Sequence, residues 1–265
     1  MIEREASRLN LSIQQEGYAI VPFPKFIAAE LKRYVLEYTS MLDFVNCASP
    51  TNFPTISAQI SHADDARFYS SMQHAFRYFP PQFANLLVDW VTENFCDVFD
   101  AAQIGTHPIS PIHLQQNPNL EAHSPSFYFR FVRPNKSDIA YAHVDKHYWE
   151  LSQANEHATF PSFSFTDRWK LWIPLLGCNS DNMLQIVPGS HKYEVPFDLE
   201  FIAGESKPSI RSSWLAANGD KFMCPLKQTH DTALLMHDTL VHRGPKNPGP
   251  LARVSAELTI FTSRR

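Results

Sequence analysis

The sequence predicts a single domain that is mainly β with helices: a jelly-roll type of barrel in its C-terminal part, buttressed by helices from its N-terminal part. Its 265 residues allow one large domain or two small ones, and no repeat or linker-like composition divides them. Hydrophobic residues make up 44% of the chain and charged residues 19%, enough for a sizeable core. The pattern changes near residue 125. We therefore expect one domain over residues 1–265, with helical support mostly in 1–105 and the barrel in about 125–265.

Two helices are predicted in the N-terminal part. Residues 28–38 carry apolar side chains at the i, i+3, i+4 and i+7 spacing of one helix face, and residues 83–99 repeat that pattern. Pro80 and Pro81 can begin the second helix, because proline is tolerated in the first helical turn. Both helices therefore have one apolar face to pack against the barrel.

Short strands are predicted after residue 125, where runs of β-branched and aromatic residues alternate with Pro, Asn, Asp and Gly. Prolines end the first three of these runs, at Pro134, Pro174 and Pro188. Many short strands with turn residues between them are typical of a sandwich or barrel such as a jelly roll. The predicted strands are residues 127–133, 169–173, 183–187, 232–237 and 253–261.

Composition excludes several classes of protein. The 23 Lys+Arg against 27 Asp+Glu give a net charge of −4, without the basic excess of a nucleic-acid-coating protein. The glycine-rich phosphate-binding motifs G-x-G-x-x-G and G-x-x-x-x-G-K-[ST] do not occur in the sequence. The four cysteines form no C-x-x-C pair. The charged N-terminus lacks the apolar stretch of a secretory signal, and no 18-residue apolar run occurs. We expect a cytoplasmic protein with no nucleic-acid or membrane partner; nothing in the sequence sets its oligomeric state.

The 12 histidines direct attention to a metal site. His143 and Asp145 follow the first strong strand, and in a strand residues i and i+2 point to the same face. His242, just after the run 232–236, is the natural third ligand. Two imidazoles and one carboxylate leave three coordination positions open, an arrangement that suits non-haem Fe(II).

The H-x-D pattern alone is weakly specific, because His62-Ala63-Asp64 also matches it. That second copy lies in a polar, helix-like stretch, where residues i and i+2 diverge. We interpret His62 and Asp64 as a solvated face or a helix cap.

The last strand supplies the more specific pattern. Residues 244–250 form a stiff turn rich in Pro and Gly, after which Arg253, Ser255 and Glu257 alternate with apolar residues. If this strand forms a hairpin with the His242 strand, Arg253 and Ser255 lie near the metal. A buried arginine needs an anionic partner. A bidentate pair with a carboxylate, together with the serine hydroxyl, would hold the distal carboxylate of a 2-oxo diacid.

Together these motifs resemble the phytanoyl-CoA dioxygenase family of Fe(II)/2-oxoglutarate oxygenases. No single piece is specific, but their order and spacing are, and they span nearly the whole chain. Residues 16–22 also look like the family's opening strand. The matching pieces are His143-Val144-Asp145, Trp172 within residues 171–175, residues 182–192, His242, and Arg253 eleven residues after it.

The resemblance implies a double-stranded β-helix, the jelly-roll or cupin-like fold, and an enzyme. It implies Fe(II) as cofactor on His143, Asp145 and His242, which are then the catalytic centre, with 2-oxoglutarate and O₂ as cosubstrates. Arg253, Ser255 and Trp172 would form the 2-oxoglutarate site, with Trp172 lying beside the iron. The reaction would hydroxylate or otherwise oxidise a C–H bond of a small organic molecule, releasing succinate and CO₂. We expect a secondary-metabolite or carbohydrate-related substrate. A carboxylate at Asp145 argues against halogenation, since related halogenases have a small residue there.

The substrate side is less defined. Lys146, His147 and Trp149 are candidates for the substrate mouth, although packing is an equal interpretation of His147. Arg130 is a further candidate. Basic residues near the metal-binding strand leave two interpretations open, a solvated rim or recognition of an anionic substrate; they are Arg130, Arg133, Lys136, Lys146, Arg168 and Lys170.

Alternative functions remain open at this point. One is a cupin-like protein that holds a metal without turnover. Another is an iron oxygenase that does not use 2-oxoglutarate, which the Arg253–Ser255 pair argues against. Zinc protease chemistry on His143 and His147 is disfavoured, because the sequence lacks the H-E-x-x-H glutamate.

Overall fold

A computed structural model describes most of the chain, and its elements are numbered here in chain order. The residues described are 9, 11–47, 49–96, 98–99, 105–106, 109, 111–121, 125–136, 138, 141–148, 167–202, 205–226 and 231–262. The helices are α1 (Lys25–Ser40), α2 (Phe53–His62), α3 (Asp65–Ser71), α4 (Pro81–Asn94), α5 (Pro111–Gln116) and α6 (Ser212–Asn218). The strands are β1 (Tyr18–Pro22), β2 (Gly105–Thr106), β3 (Phe127–Val132), β4 (Asp167–Leu176), β5 (Gln185–Ile186), β6 (Phe197–Ile202), β7 (Glu205–Ile210), β8 (Thr232–His237), β9 (His242–Arg243) and β10 (Arg253–Thr262).

The main sheet is antiparallel and six-stranded. Its order is β1-β8-β4-β10-β2, and β3 also pairs with β10. A smaller layer is built on the β5–β9 pair, which single bridges extend through Ile186 to Met223 and through His242 to His143. Trp172, Leu234 and Met236 of the main sheet pack with Leu184 and Ile186 of the smaller layer. Two antiparallel layers with a shared interior are the jelly-roll arrangement that the sequence predicts.

Helices cover the other side of the main sheet. Leu31 and Val35 of α1 and Leu87 and Val91 of α4 are fully buried and belong to one apolar core with β10. These positions follow the helical period predicted from the sequence, so the expected buttress of N-terminal helices is present. Within the described part of the chain, every helix is too short or too polar to traverse a lipid bilayer.

Strand β10 lies between the helical core and the interior of the jelly roll. All ten of its residues are buried. Val254, Ala256 and Leu258 belong to the core shared with the helices. Arg253 and Glu257, on the opposite face, line a cavity between the two layers. The alternation predicted for this strand therefore separates two interiors rather than an interior from solvent.

The predicted end of one strand is wrong. Pro174 does not end β4, which continues to Leu176. Pro174 pairs with Ser255 where the register with β10 shifts, between Val254 and Ser255. Proline is tolerated at such an irregularity, because no regular ladder hydrogen bond is required there.

The structure contains a hairpin, β6 with β7, that the sequence pattern did not predict. Strands β6 and β7 pair along six residues each. Pro208 lies inside β7 and masks its strand pattern, but this hairpin forms a separate two-stranded sheet in which proline can face a free edge.

Candidate metal centre

Three side chains predicted as metal ligands lie together between the two layers. Oδ1 of Asp145 is 3.5 Å from Nε2 of His143 and 3.7 Å from Nε2 of His242. One ligand atom from each of the three lies within 4.8 Å of the others, and all three residues are nearly buried. Such a cluster presents two nitrogen ligands and one oxygen ligand to a single point.

The backbone brings the two histidines together. His143 and His242 face each other across an antiparallel bridge, with reciprocal N–H···O=C hydrogen bonds of 3.0 and 3.1 Å. Asp145 is not in a strand, as the sequence reasoning assumed, but begins a helical turn over residues 145–148. The amide of Lys146 in that turn donates to the Asp238 carbonyl at 3.1 Å. The turn, rather than strand alternation, aims the carboxylate toward the imidazoles.

Backbone carbonyls orient both imidazole rings. Nδ1 of His143 donates to the Tyr141 carbonyl at 2.6 Å, and Nδ1 of His242 donates to the Leu240 carbonyl at 2.9 Å. Because a carbonyl only accepts, each Nδ1 carries the proton and each Nε2 keeps its lone pair. This is the tautomer and support expected of metal-binding histidines.

The charge states also suit a metal. Burial, with the neighbouring His143 ring, lowers the pKa of His242 to about 4, so this imidazole is neutral near neutral pH. Burial alone would raise the pKa of Asp145, but the Lys170 ammonium and the two imidazoles outweigh it and lower that pKa. The cluster therefore offers neutral nitrogen and an ionised carboxylate, which are the forms that bind metals.

A buried lysine beside Asp145 was not anticipated as part of the site. Lys170 is only 5% exposed on β4, and its Nζ is 3.3 Å from Oδ2 of Asp145. The sequence reasoning counted it only among the basic residues near the metal-binding strand. One feature could have singled it out: it is a charge inside the otherwise apolar run Trp169-Lys170-Leu171-Trp172-Ile173.

The three residues predicted to bind 2-oxoglutarate lie beside the cluster. Arg253 and Trp172 line one cavity with His143 and His242, and Ser255 follows on the same face of β10. Arg253 is 2% exposed and donates from Nη1 to the Asn182 carbonyl. Within the described residues, Nε of Arg253 and Oγ of Ser255 are buried without a hydrogen-bond partner.

Arg253 has no carboxylate within ion-pair distance among the described residues. Burial lowers its pKa to about 10, so the guanidinium still carries its charge at neutral pH. A buried cation without a counter-ion is costly. The cavity is thus prepared for an anion.

The predicted hairpin between the His242 strand and β10 is wrong. Strand β9 pairs with β5, whereas β10 pairs with β3 and β4, so the turn over residues 244–250 crosses from one layer to the other. Asn247 anchors it: the side chain donates to the Val132 and Leu251 carbonyls and accepts from Asn182. Arg253 reaches the cavity because this crossing returns the chain to the main sheet beside it.

Arg130 and Glu257 line the same cavity. The side chain of Arg130 is 34% exposed, and its Nη1 lies 4.0 Å from Oε1 of Glu257. The Tyr128 hydroxyl donates to Oε2 of Glu257 at 2.9 Å. Arg130 therefore lies where a molecule approaching the cluster would meet it, and Glu257 is a site residue that the sequence reasoning did not propose.

The structure separates Lys146 and His147 from the metal cavity. Both line a different cavity of about 400 Å³ with Tyr193, Phe197 and Arg211. The His147 ring stacks on Phe197 with ring centroids 4.0 Å apart. Trp149, the third residue proposed with them, lies outside the described residues.

The second H-x-D motif is structural, as expected. His62 is the last residue of α2, and the Asp64 side chain caps α3 by accepting from the Arg67 amide at 2.9 Å. Neither contributes to the metal cluster.

Comparisons with known proteins bear on the fold. No family model matches the sequence, and no curated protein matches it. The predicted fold class is confirmed: the chain has the jelly-roll fold, mainly β with helices, seen in solved structures that resemble it.

Two of these structures illustrate the likeness. EvdO2 from Micromonospora carbonacea var. aurantiaca, complexed with 2-oxoglutarate, is 15% identical, with a TM-score of 0.55 over 97% of this chain and 91% of that chain. EctD from S. alaskensis, with 2-oxoglutarate and 5-hydroxyectoine, is 16% identical, with a TM-score of 0.50 over 97% of this chain and 76% of that chain. At such identities the likeness concerns the fold alone.

Proposed function

We propose that this chain is a single-domain oxygenase of the phytanoyl-CoA dioxygenase type, dependent on Fe(II) and 2-oxoglutarate. It would oxidise a C–H bond of a small organic molecule and release succinate and CO₂. The observation that carries the proposal is the buried, charged guanidinium of Arg253, whose Nε has no hydrogen-bond partner among the described residues, beside a cluster of two histidines and one carboxylate.

His143, Asp145 and His242 would hold the iron. Two imidazoles and one carboxylate on one side of a metal suit Fe(II) and leave positions open for other ligands. Their Nδ1 hydrogen bonds to backbone carbonyls fix both rings before any metal binds. Bound together, iron, 2-oxoglutarate and O₂ would supply the oxidising chemistry that the side chains themselves lack.

Arg253, Ser255 and Trp172 would hold the cosubstrate. A carboxylate placed against Arg253 satisfies its free Nε and gives the buried charge a counter-ion, while Ser255 Oγ donates to the same group. Trp172 is 1% exposed and forms an apolar wall of the cavity. A dicarboxylate with one end toward the metal cluster and the other toward Arg253 suits this arrangement.

Arg130 would face the substrate. Its side chain lines the cavity, and Glu257, its nearest carboxylate, already accepts from Tyr128. Leu184 and Met236 line the same cavity, so the substrate we propose is a small molecule with an apolar body and an anionic group. A secondary-metabolite or carbohydrate-related substrate is part of this proposal.

The test is turnover and binding of 2-oxoglutarate. With Fe(II) and air, the protein should consume O₂ and form succinate even without substrate, and chelation of the metal should stop both. Arg253→Met should weaken 2-oxoglutarate binding to the Mn(II)-loaded protein about 10- to 100-fold, the range for losing a charged hydrogen bond. Calorimetry measures it, with the surface variant Arg33→Met as control.

Two results would contradict the proposal. Metal binding without 2-oxoglutarate binding or O₂ uptake would favour the alternative, a cupin-like protein that holds a metal without turnover. Turnover that is unchanged in Arg253→Met would remove the assigned role of that residue.

A further inference from the structure

A buried ammonium group contacts the candidate metal ligand Asp145 from the side of the main sheet. Lys170 extends from β4, and its Nζ lies 3.3 Å from Oδ2 of Asp145 and 3.9 Å from Oε2 of Glu257. Nζ also lies 5.9 Å from the centre of the Tyr128 ring. Burying an ammonium group costs several kcal/mol before its partners compensate. A lysine at this position therefore needs a reason beyond packing.

The two oxygens of Asp145 face different partners. Oδ1 is the oxygen near both imidazoles, 3.5 Å from Nε2 of His143 and 3.7 Å from Nε2 of His242. Oδ2 is the oxygen that forms the ion pair with Lys170, and within the described residues it accepts no hydrogen bond. Oδ1 is thus directed at the place where the three candidate ligands meet, and Oδ2 is directed away from it.

We propose that Lys170 is a positioning residue that keeps Asp145 a one-oxygen ligand of the metal; this inference rests on the function proposed above. With Oδ2 held by the ammonium group, only Oδ1 would reach the metal. Two histidines and one oxygen would then leave three positions, two for a chelating cosubstrate and one for O₂. If both oxygens bound, one of those positions would be lost.

Glu257 provides a second possible reason for Lys170, and it can be separated. Without the ammonium group, Asp145 and Glu257 would be two carboxylates facing one cavity with less positive charge between them. If charge balance with Glu257 were the whole role of Lys170, removing the Glu257 charge as well would restore the site. If Lys170 acts on Oδ2 of Asp145, it would not.

The experiment uses Co(II) as the metal probe, without O₂. Lys170→Met should change the visible absorption of bound Co(II), which reports coordination number and geometry, because Oδ2 of Asp145 becomes free to bind. It should also weaken 2-oxoglutarate binding to the Co(II)-loaded protein about 10- to 100-fold, because a coordination position is lost. Lys170→Arg, which keeps a donor for Oδ2, should recover part of each. Lys25→Met, at a lysine side chain that is 81% exposed, is the matched control.

The outcomes are distinct. A wild-type Co(II) spectrum together with wild-type 2-oxoglutarate binding in Lys170→Met would overturn the inference and leave the proposed function standing. Full recovery in Lys170→Met combined with Glu257→Gln would also overturn it, in favour of charge balance. If Lys170→Met does not fold, the Co(II) spectrum of Lys170→Arg decides. Arginine keeps the positive charge but changes the donor geometry at Oδ2. A changed spectrum therefore supports a role at Oδ2, and a wild-type spectrum overturns the inference in favour of charge balance. Co(II) binding without 2-oxoglutarate binding in the wild type would instead refute the proposed function, and no Co(II) binding would refute both.

Discussion

The two faces of β10 have opposite effects on the stability of the fold. Toward the helices, Val254, Ala256 and Leu258 are fully buried among apolar side chains. Toward the metal cavity, Arg253 and Ser255 are nearly as deeply buried, but Nε of Arg253 and Oγ of Ser255 have no hydrogen-bond partner in the part of the chain that the structure describes. One face stabilises the fold by removing apolar surface from water. The other costs stability, since each unsatisfied buried group costs about 1–3 kcal/mol.

Only the polar face of β10 can be stabilised by a bound ligand. A ligand that satisfies the polar face recovers part of that cost and adds to stability by mass action. The apolar face gains nothing from a ligand. Variants on the two sides should therefore affect different measurements, and this separation can be tested directly.

The largest effect is expected at the metal cluster. His242→Ala removes one of the candidate nitrogen ligands, and metal binding should fall by more than the roughly 10- to 100-fold typical of losing an outer partner of a ligand. Titration with Co(II) or Mn(II) measures it. His62→Ala, at the histidine of the second H-x-D motif, is the matched control and should bind like the wild type. Equal metal binding by both variants would contradict the assignment of His242 as a metal ligand.

The next effect is expected on the apolar face. Leu258→Ala should lower the free energy of unfolding by about 2–5 kcal/mol, because a fully buried leucine between Phe127 and Leu171 leaves a cavity. Urea unfolding measures the change, and metal affinity of the folded protein should stay at the wild-type value. Leu199→Ala, at a leucine that is mostly exposed, should change stability by less than about 0.5 kcal/mol. A large loss of metal affinity in Leu258→Ala would show that the two faces are coupled.

The smallest effect is expected at His237, at the end of β8. Burial would lower its pKa, but hydrogen bonds with Asp167 and Asp238 outweigh burial and raise it above 6.5. A histidine whose pKa is higher in the folded state stabilises the protein below its unfolded pKa. That contribution disappears as the pH rises through the folded value. Unfolding of wild type and His237→Asn should therefore differ at about pH 5.5 and converge by about pH 8.5. A constant difference across this range would mean that the two aspartates do not act through the charge of His237.

Much of the architecture could be predicted, because it depends on local pattern. The helices around residues 28–38 and 83–94 follow from apolar spacing, and β10 follows from strict alternation. The predicted end of the second helix at residue 99 is wrong, because α4 ends at Asn94. The cluster of His143, Asp145 and His242 could be proposed from spacing and resemblance, and the structure brings the three together.

What could not be predicted depends on pairing between distant segments. Lys170 lies opposite Thr259 in the ladder between β4 and β10, and that register decides that its side chain reaches Asp145. Asn247 shows no motif in sequence, yet it joins the turn to Val132 and Asn182. The pairing of Lys170 with Thr259 and the hydrogen bonds of Asn247 with Asn182 and Val132 join residues more than 60 positions apart in the chain. The contact between Lys170 and Asp145 also forms only in the closed fold.

The reciprocal bridge between His143 and His242 has a consequence for the order of folding. These residues are 99 positions apart in the chain, and only the paired layers hold them together. Closing so long a loop costs conformational entropy before any metal ligand is gained. Metal should therefore bind weakly to the unfolded chain, where only His143 and Asp145 are close in sequence, and tightly after the layers have closed. Uptake of metal during refolding would then report when the two layers of the jelly roll have closed, and it would not initiate that closure.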